Sequence, residues 1–247
     1  MKDTTSELDD VDFTNGDNTN GILRMAYIKE SKVLDLQGPI LHDLFQVKRY
    51  ILNQVRISIK FHRSRPDFCL LSSEAKKYKI DIEEMALRVR KVQVNPAIIT
   101  AHNAMLSSTN AKYSYTKTEM ASMTLDKGTL NFSWNQVFQD SCPNRVIVNF
   151  VCNEATSGGS LTKNPWHFQN YNLSQISVSV DGAPVNGGSM QISYDSTNVH
   201  TITRVLTNLL ESTKKWLNDE GMGLDRDDIA GGCALYAFDT QPDCDGN

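Results

Sequence analysis

Alternation of apolar and polar side chains is the feature that most constrains the fold of this chain. It is clearest between residues 55 and 62, where the apolar positions are Val55, Ile57, Ile59 and Phe61 and the polar ones are Arg56, Ser58, Lys60 and His62. A period of two places the apolar and polar sets on opposite faces of a strand. The pattern therefore predicts a half-buried β-strand whose apolar side chains face a core.

The same alternation recurs along the chain. Met85, Leu87 and Val89 repeat it, and the step of three to Val92 predicts a β-bulge at Arg90-Lys91. Further strands are predicted at 112–124, 129–137, 144–152, 173–180, 190–194 and 234–238. The segment 144–152 is apolar on both sides, which predicts a central strand that is covered on both faces. Asp181-Gly182 predicts a tight hairpin turn.

Two helices interrupt the predicted strands. Asn95 and Pro96 form a typical N-cap and N1 pair for a helix at 96–107. A second helix is predicted at about 198–217, because Ile202, Val205 and Leu209 fall on one face. No strand–helix–strand alternation is present, which disfavours a parallel α/β fold. The expected fold class is all-β, an antiparallel β-sandwich of jelly-roll type with two inserted α-helices.

Charge is unevenly distributed. Residues 1–21 carry six acids and one Lys, which predicts a flexible acidic arm ahead of a single jelly-roll domain at 22–247. Residues 48–92 hold 12 Lys/Arg against 5 Asp/Glu in a chain whose net charge is −4. Most of these basic residues fit the solvent face of amphipathic strands. The alternative is a surface that makes weak contact with nucleic acid.

Several classes of protein are excluded or disfavoured. The chain lacks the roughly 18 consecutive apolar residues of a membrane helix, and its start is acidic, so neither membrane insertion nor secretion is expected. Five cysteines without a C-x-x-C pair favour reduced thiols and intracellular synthesis. The five histidines lack metal-ligand spacing. We therefore expect no cofactor and no bound metal.

Two local patterns raise the question of catalysis. Asp225, Asp227 and Asp228 could suggest a Ca²⁺ site, but their spacing misses the EF-hand pattern and better fits an acidic loop that caps a helical turn. Cys152 and His167 would form the nucleophile and base of a hydrolase only if the fold brought them together. We expect no catalytic residues and no enzymatic activity, with a hydrolase as the less favoured alternative.

Residues 164–172 are rich in aromatic and Asn side chains. Trp166, Phe168 and Tyr171 could form a stacking platform for a sugar or a base. The favoured interpretation is an aromatic-packed loop whose Asn side chains satisfy backbone groups and whose rings seal one end of the sandwich. If the platform is functional, the protein is a non-catalytic β-sandwich binding module for glycan or protein partners.

Six segments together resemble the capsid protein of Polinton/Maverick elements and of the related adintoviruses. They are GPILHDLFQVKRYILNQVRISIKFHRSRPDFCLL (38–71), MALRVRKVQVNPAIITAHNAML (85–106), AKYSYTKTEM (111–120), NRVIVNFVCNEATSGG (144–159), KNPWHFQNYNLSQISVSVDG (163–182) and LDRDDIAGGCALYAFDTQPD (224–243). The major capsid protein of this family is a double jelly roll whose trimers form pseudo-hexagonal capsomers. The chain is similar to its second jelly roll, and an acidic arm with its own Met stands in place of the first.

The resemblance implies a virion structural protein, or a transposon-derived remnant of one. Its partners would be further copies of itself, as a trimer if capsomers form, and other capsid proteins. It would be made in the host cytoplasm and found in the virion, with assembly in the nucleus as one route. A capsid subunit recognises its neighbours through broad packing surfaces, so the lack of a catalytic constellation agrees with this expectation.

Overall fold

The computed structural model describes residues 11, 19–47, 49–53, 55–73, 78–139, 142–157, 159–195, 200–216 and 221–240. The chain divides into two compact units. The first unit comprises Met1–Leu34, Ser64–Tyr78 and Met123–Asn247. The second unit comprises Asp35–Arg63 and Lys79–Ser122.

The first unit holds most of the regular structure. Its helices are α1 (Thr19–Ile28), α2 (Pro66–Cys69), α4 (Asn153–Thr156), α5 (His200–Ser212) and α6 (Arg226–Gly231), with a 3-10 turn at Lys29–Ser31. Helix α3 (Pro96–Leu106) belongs to the second unit. The strands of the first unit are β1 (Arg145–Val148), β2 (Gln175–Ile176), β3 (Ser179–Val180), β4 (Ala183–Pro184), β5 (Met190–Gln191) and β6 (Tyr236–Asp239). Within the described ranges, no helix has the length and apolar character to cross a bilayer.

The strands form three two-stranded antiparallel ladders. β1 pairs with β6 and β2 pairs with β5, in registers that place Val148 opposite Tyr236 and Ile176 opposite Met190. β3 and β4 form a hairpin that is closed by Asp181 and Gly182. These two residues have φ values of 51° and 83°, the left-handed conformation that a two-residue hairpin turn requires. The predicted Asp-Gly turn is therefore confirmed.

The core of the first unit lies where α5 packs against the β1–β6 ladder. The predicted helix is confirmed as α5, whose apolar face buries Ile202, Val205 and Leu209. The buried residues that meet this face come from β5, α6 and β6 and the segments next to them: Met190, Ile192, Ile229, Ala234, Tyr236, Ala237 and Phe238. An amphipathic helix that covers one face of a short ladder is enough to exclude water from this cluster.

A pair of tyrosines brings two hydroxyl groups into this core. The hydroxyl oxygens of Tyr194 and Tyr236 lie 2.6 Å apart, so each phenol satisfies the other. Burial raises the pKa of both groups, and the shift is the larger at Tyr236. Both phenols are therefore neutral in the folded protein at ordinary pH.

The second unit has little regular structure, namely a 3-10 turn at Asp43–Phe45 and α3. The predicted N-cap of α3 is confirmed, because the Asn95 side chain accepts a hydrogen bond from the Ala97 amide at 3.0 Å. The Tyr113 hydroxyl holds two segments together by donating to the Tyr50 carbonyl at 2.9 Å and accepting from the Leu52 amide at 3.2 Å. No described residue of this unit is buried.

The predicted all-β fold class is wrong. The part of the chain that the structure describes is mixed, with short helices and strands of at most four residues in three separate ladders, and it forms no antiparallel β-sandwich of jelly-roll type. The runs at 55–61, 85–94, 112–124 and 129–137 form no described strand, and no β-bulge occurs at Arg90-Lys91. Alternation sorts side chains onto two faces, but a strand also needs a neighbour for its backbone groups.

The structure also bears on the predicted central strand at 144–152 and on the predicted arm at 1–21. The segment 144–152 is not a central strand in the described structure, because β1 pairs only with β6 and Ile147 is 46% exposed. Most of the predicted acidic arm at 1–21 lies outside the described residues, and its last three residues begin α1. The division into an arm and one domain at 22–247 stays a prediction, whereas its jelly-roll assignment is corrected with the fold class.

Candidate functional site

The second unit exposes two runs of alternating apolar residues, which we call the alternating runs. Their apolar members are between 37% and 69% exposed: Val55, Ile57, Ile59, Phe61, Met85, Leu87 and Val89. No backbone–backbone hydrogen bond joins residues 55–63 or 81–94 to another part of the described chain. Apolar side chains and backbone groups are thus exposed together over both runs.

Helix α3 lies in the same unit and is also exposed on its apolar positions. Ile98, Ile99 and Met105 are each more than two-fifths exposed, and none of the eleven residues of α3 is buried. Single exposed apolar residues are normal on protein surfaces, whereas a unit in which whole runs are exposed is typical of an interaction surface.

The two units differ strongly in charge. The second unit has 11 basic and 6 acidic residues, a net charge of +5, and the first unit has 14 basic and 23 acidic residues, a net charge of −9. Exposed basic side chains occupy polar positions of the alternating runs at Arg56, Lys60, Arg88 and Arg90. The alternating runs therefore combine apolar side chains with positive charge.

In the loop 164–172 of the first unit, the Asn side chains bind backbone groups as the favoured interpretation predicted. The buried Asn164 accepts a hydrogen bond from the Trp166 amide at 2.9 Å through its side-chain oxygen. Asn170 accepts from the Asn172 amide and donates to the Ala230 carbonyl, both at 2.8 Å. The Asn side chains thus satisfy backbone groups, which confirms that part of the prediction.

Three backbone hydrogen bonds and one close contact fasten this loop to the rest of the first unit. The Phe168 amide donates to the Gly232 carbonyl at 2.8 Å, the Ala234 amide donates to the Phe168 carbonyl at 3.0 Å, and the Gln169 amide donates to the Phe150 carbonyl at 3.0 Å. A Cβ atom at Gly232 would stand 2.9 Å from Nδ1 of His167. Only glycine leaves room for the imidazole at this position.

Tyr171 stands at the tip of the loop in an unusual backbone conformation. Tyr171 and Asn172 have φ values of 45° and 49°, and the Leu173 amide donates to the Asn170 carbonyl at 3.0 Å, which closes a tight turn. Asn adopts this left-handed conformation readily, whereas Tyr does so rarely. The Tyr171 ring meets Phe150 edge-on at 6.5 Å between centroids, yet the residue is 56% exposed.

Two cavities adjoin the loop. An open pocket of about 280 Å³ is lined by His167, Gln169, Asn170, Tyr171, Asn172 and residues 230–232. A smaller recess of about 50 Å³ is lined by Cys152, Lys163, Asn164, His167 and Gln169. His167 and Gln169 contribute to both cavities.

The three aromatic residues of the loop have different surroundings. Tyr171 alone lines the open pocket. Trp166 is exposed and packs edge-on against Phe68, with 5.5 Å between the ring centroids. Phe168 is half-buried and pairs with Cys233 through a single parallel β-bridge. The three rings therefore do not form one stacking platform. The prediction that they seal one end of a sandwich is wrong, because Trp166 and Tyr171 are exposed and the described strands form no sandwich.

The candidate nucleophile–base pair lines a small recess, and the candidate Ca²⁺ residues cap a helix. Cys152 and His167 do come together as walls of the smaller recess, whose volume matches about one or two water molecules. Asp225 and Asp228 form a capping box at the start of α6, with reciprocal side-chain to backbone hydrogen bonds of 2.9 and 2.8 Å. This confirms the helix-capping interpretation of the acidic loop.

Metal and disulfide chemistry find no support in the described ranges. No group of three or more His, Cys, Asp or Glu side chains is placed to hold a metal ion there. Among the described residues, Cys69, Cys142, Cys152 and Cys233 take part in no disulfide bond.

The sequence did not indicate that residues 230–232 contribute to the pocket. Two consecutive glycines at the end of a short helix are typical of a close backbone approach, and they were the one available signal. Comparison with known protein families, with curated proteins and with solved structures finds no match for this chain.

Proposed function

We propose that this protein is a structural subunit of a virion, or a transposon-derived relative of one, and that it self-associates through the second unit. The observation that carries the proposal is the exposure of the alternating runs without backbone partners in the described chain. The resemblance of six segments to capsid proteins of Polinton/Maverick elements supports the same role. The proposal does not require a jelly-roll sandwich.

A second copy of the chain would supply what the alternating runs lack. Backbone groups without partners bind another chain by strand addition, and apolar side chains at every second position give such a contact its register. Seven side chains, each about half exposed, would contribute on the order of 5–10 kcal/mol when covered. Association itself costs about 4–15 kcal/mol, so a stable assembly needs more than one such contact for each subunit.

Charge complementarity supports another copy of this protein as the occupant. The second unit carries +5 and the first unit −9, so the basic unit of one copy attracts the acidic unit of the next. A two-fold dimer satisfies this pairing twice, and a head-to-tail contact closes into a ring when the rotation permits, with a trimer as the smallest such ring. Nucleic acid is the competing occupant of a basic surface, and the experiment below separates the two.

Sedimentation velocity on the purified full chain tests the proposal. We expect the weight-average mass to rise with protein concentration above that of the 27.7 kDa monomer. Val89→Asp places a charge in an alternating run and should weaken association at least about tenfold. Leu41→Asp is the matched control, since Leu41 also lies in the second unit and is more exposed than Val89, but stands outside the alternating runs.

Salt dependence supplies the second part of the test. Raising ionic strength should weaken self-association, because exposed charges beyond a Debye length are screened. A chain that stays monomeric at every soluble concentration would contradict the proposal. So would equal association of the Val89→Asp and Leu41→Asp variants, or association only when nucleic acid is added.

A further inference from the structure

The open pocket beside Tyr171 is the feature that the proposed function does not use. Its volume of about 280 Å³ equals roughly nine water molecules at 30 Å³ each. This is slightly below the usual range of ligand pockets, so the space suits one small ring and not a large cofactor. The pocket is open to solvent and belongs wholly to the first unit.

The chemistry of the lining indicates a neutral, hydrogen-bonding ligand. The side chains that line the pocket are amides, an imidazole and a phenol, with no Asp, Glu, Lys or Arg among the described lining residues. An amide offers both donors and an acceptor, which matches a ligand whose neighbouring hydroxyl groups also donate and accept. The exposed Tyr171 ring adds an apolar face next to these groups.

The pocket is held in shape by contacts from both sides. Asn170 ties the loop to the Ala230 carbonyl, and the Phe168 amide ties it to the Gly232 carbonyl, in each case at 2.8 Å. The hydrogen bonds of Asn170 therefore fix the loop, and the side chains of Gln169 and Asn172 remain as the amides that can meet a ligand. Such pre-formed sites lose little conformational entropy on binding.

The conformation of Tyr171 is a second observation that supports a binding role for this pocket, beside the chemistry of its lining. A bulky residue held at a φ of 45° stores backbone strain, and strained residues of this kind cluster at ligand sites. Asn or Gly would form the same turn without strain. The strained conformation of Tyr171 therefore places an aromatic ring at the rim of the pocket, where Asn or Gly would place none.

We propose that this pocket binds a single sugar ring, either as a free monosaccharide or as the terminal unit of a glycan, with the ring stacked on Tyr171 and its hydroxyl groups bound by Gln169 and Asn172. A capsid-type subunit with such a site would recognise glycans as well as its neighbours. The proposal does not depend on self-association, since every residue of the pocket lies in the first unit.

Saturation-transfer difference NMR on the full chain tests the proposal. The probes are D-glucose, D-galactose, D-mannose and N-acetyl-D-glucosamine, each also as a terminal unit of a disaccharide, with adenosine as the competing stacking ligand. We expect saturation of the ring protons of at least one sugar. Signal from the free monosaccharide would identify a free-sugar site, and signal from the disaccharide alone would identify a glycan-end site.

Variants identify the pocket. Tyr171→Asn keeps a residue that tolerates the left-handed turn but removes the ring, so the sugar signal should be lost while the thermal midpoint is retained. Gln169→Leu should weaken binding by about tenfold or more, because one amide is worth roughly a factor of ten. Trp166→Asn is the matched control, since Trp166 is exposed in the same loop but lines neither cavity.

Four results would overturn the sugar site. They are no saturation of any sugar, stronger saturation of adenosine than of every sugar, an unchanged sugar signal in Tyr171→Asn, and loss of the signal in the Trp166→Asn control. None of these depends on the oligomeric state, so the sugar site and self-association can fail separately.

Discussion

Replacing Leu209 by Ala tests the packing of α5 against the rest of the first unit. Leu209 is completely buried, and the substitution removes three carbon atoms from the core. At about 0.8 kcal/mol for each buried carbon, the lost transfer free energy is about 2.4 kcal/mol. The cavity left behind adds to this, so we expect the free energy of unfolding to fall by about 3–5 kcal/mol.

Urea unfolding followed by far-UV circular dichroism measures this change. With a slope of about 2 kcal/mol per molar urea, a loss of 3 kcal/mol lowers the midpoint by about 1.5 M. Leu130→Ala makes the same chemical change at a residue that is 93% exposed, and its effect should stay within about 0.5 kcal/mol. Equal urea midpoints for the two variants would show that Leu209 of α5 is not part of the buried core of the first unit.

Three further predictions follow from the structure. Ile57→Asp should change the free energy of unfolding of the dilute monomer by less than about 0.5 kcal/mol, because Ile57 is exposed; insolubility of this variant would instead indicate a buried strand. The free energy of unfolding should fall above about pH 10, where the unfolded chain loses phenol protons that Tyr194 and Tyr236 retain through their raised pKa values; urea unfolding at pH 9 and pH 11 should show a smaller fall in a Tyr194→Phe/Tyr236→Phe variant. If the basic region 48–92 contacts nucleic acid, fluorescence anisotropy should detect DNA binding that weakens with salt and is reduced in an Arg88→Glu/Arg90→Glu variant; binding that is absent, or insensitive to salt, would remove that role.

The parts of the fold that could be predicted are those with local causes. Asn95 and Pro96 mark the start of α3, the apolar face marks α5, and Asp181-Gly182 marks the hairpin, because each signal acts within a few residues. The predicted sandwich was wrong because it required long-range pairing. The alternation at 55–61 indicates which side chains share a face, but it does not identify a partner strand.

The candidate site shows the same limit. The role of Asn side chains in the loop 164–172 followed from local chemistry and was confirmed by the hydrogen bonds of Asn164 and Asn170. The pocket itself depends on Ala230 and Gly232, which lie about sixty positions further along the chain. Nothing in a single sequence states that these two segments meet, because the contact arises from tertiary packing.

The register of β1 and β6 affects how the protein is made. Arg145 pairs with Asp239, so the ladder joins residues that are about ninety positions apart. Closing so long a loop has a large entropic cost and slows folding. The ladder that carries the core cannot form on the ribosome until β6 has emerged, and the apolar segments made earlier stay open to chaperones and to aggregation in the meantime. Slower synthesis at lower temperature should therefore increase the soluble yield.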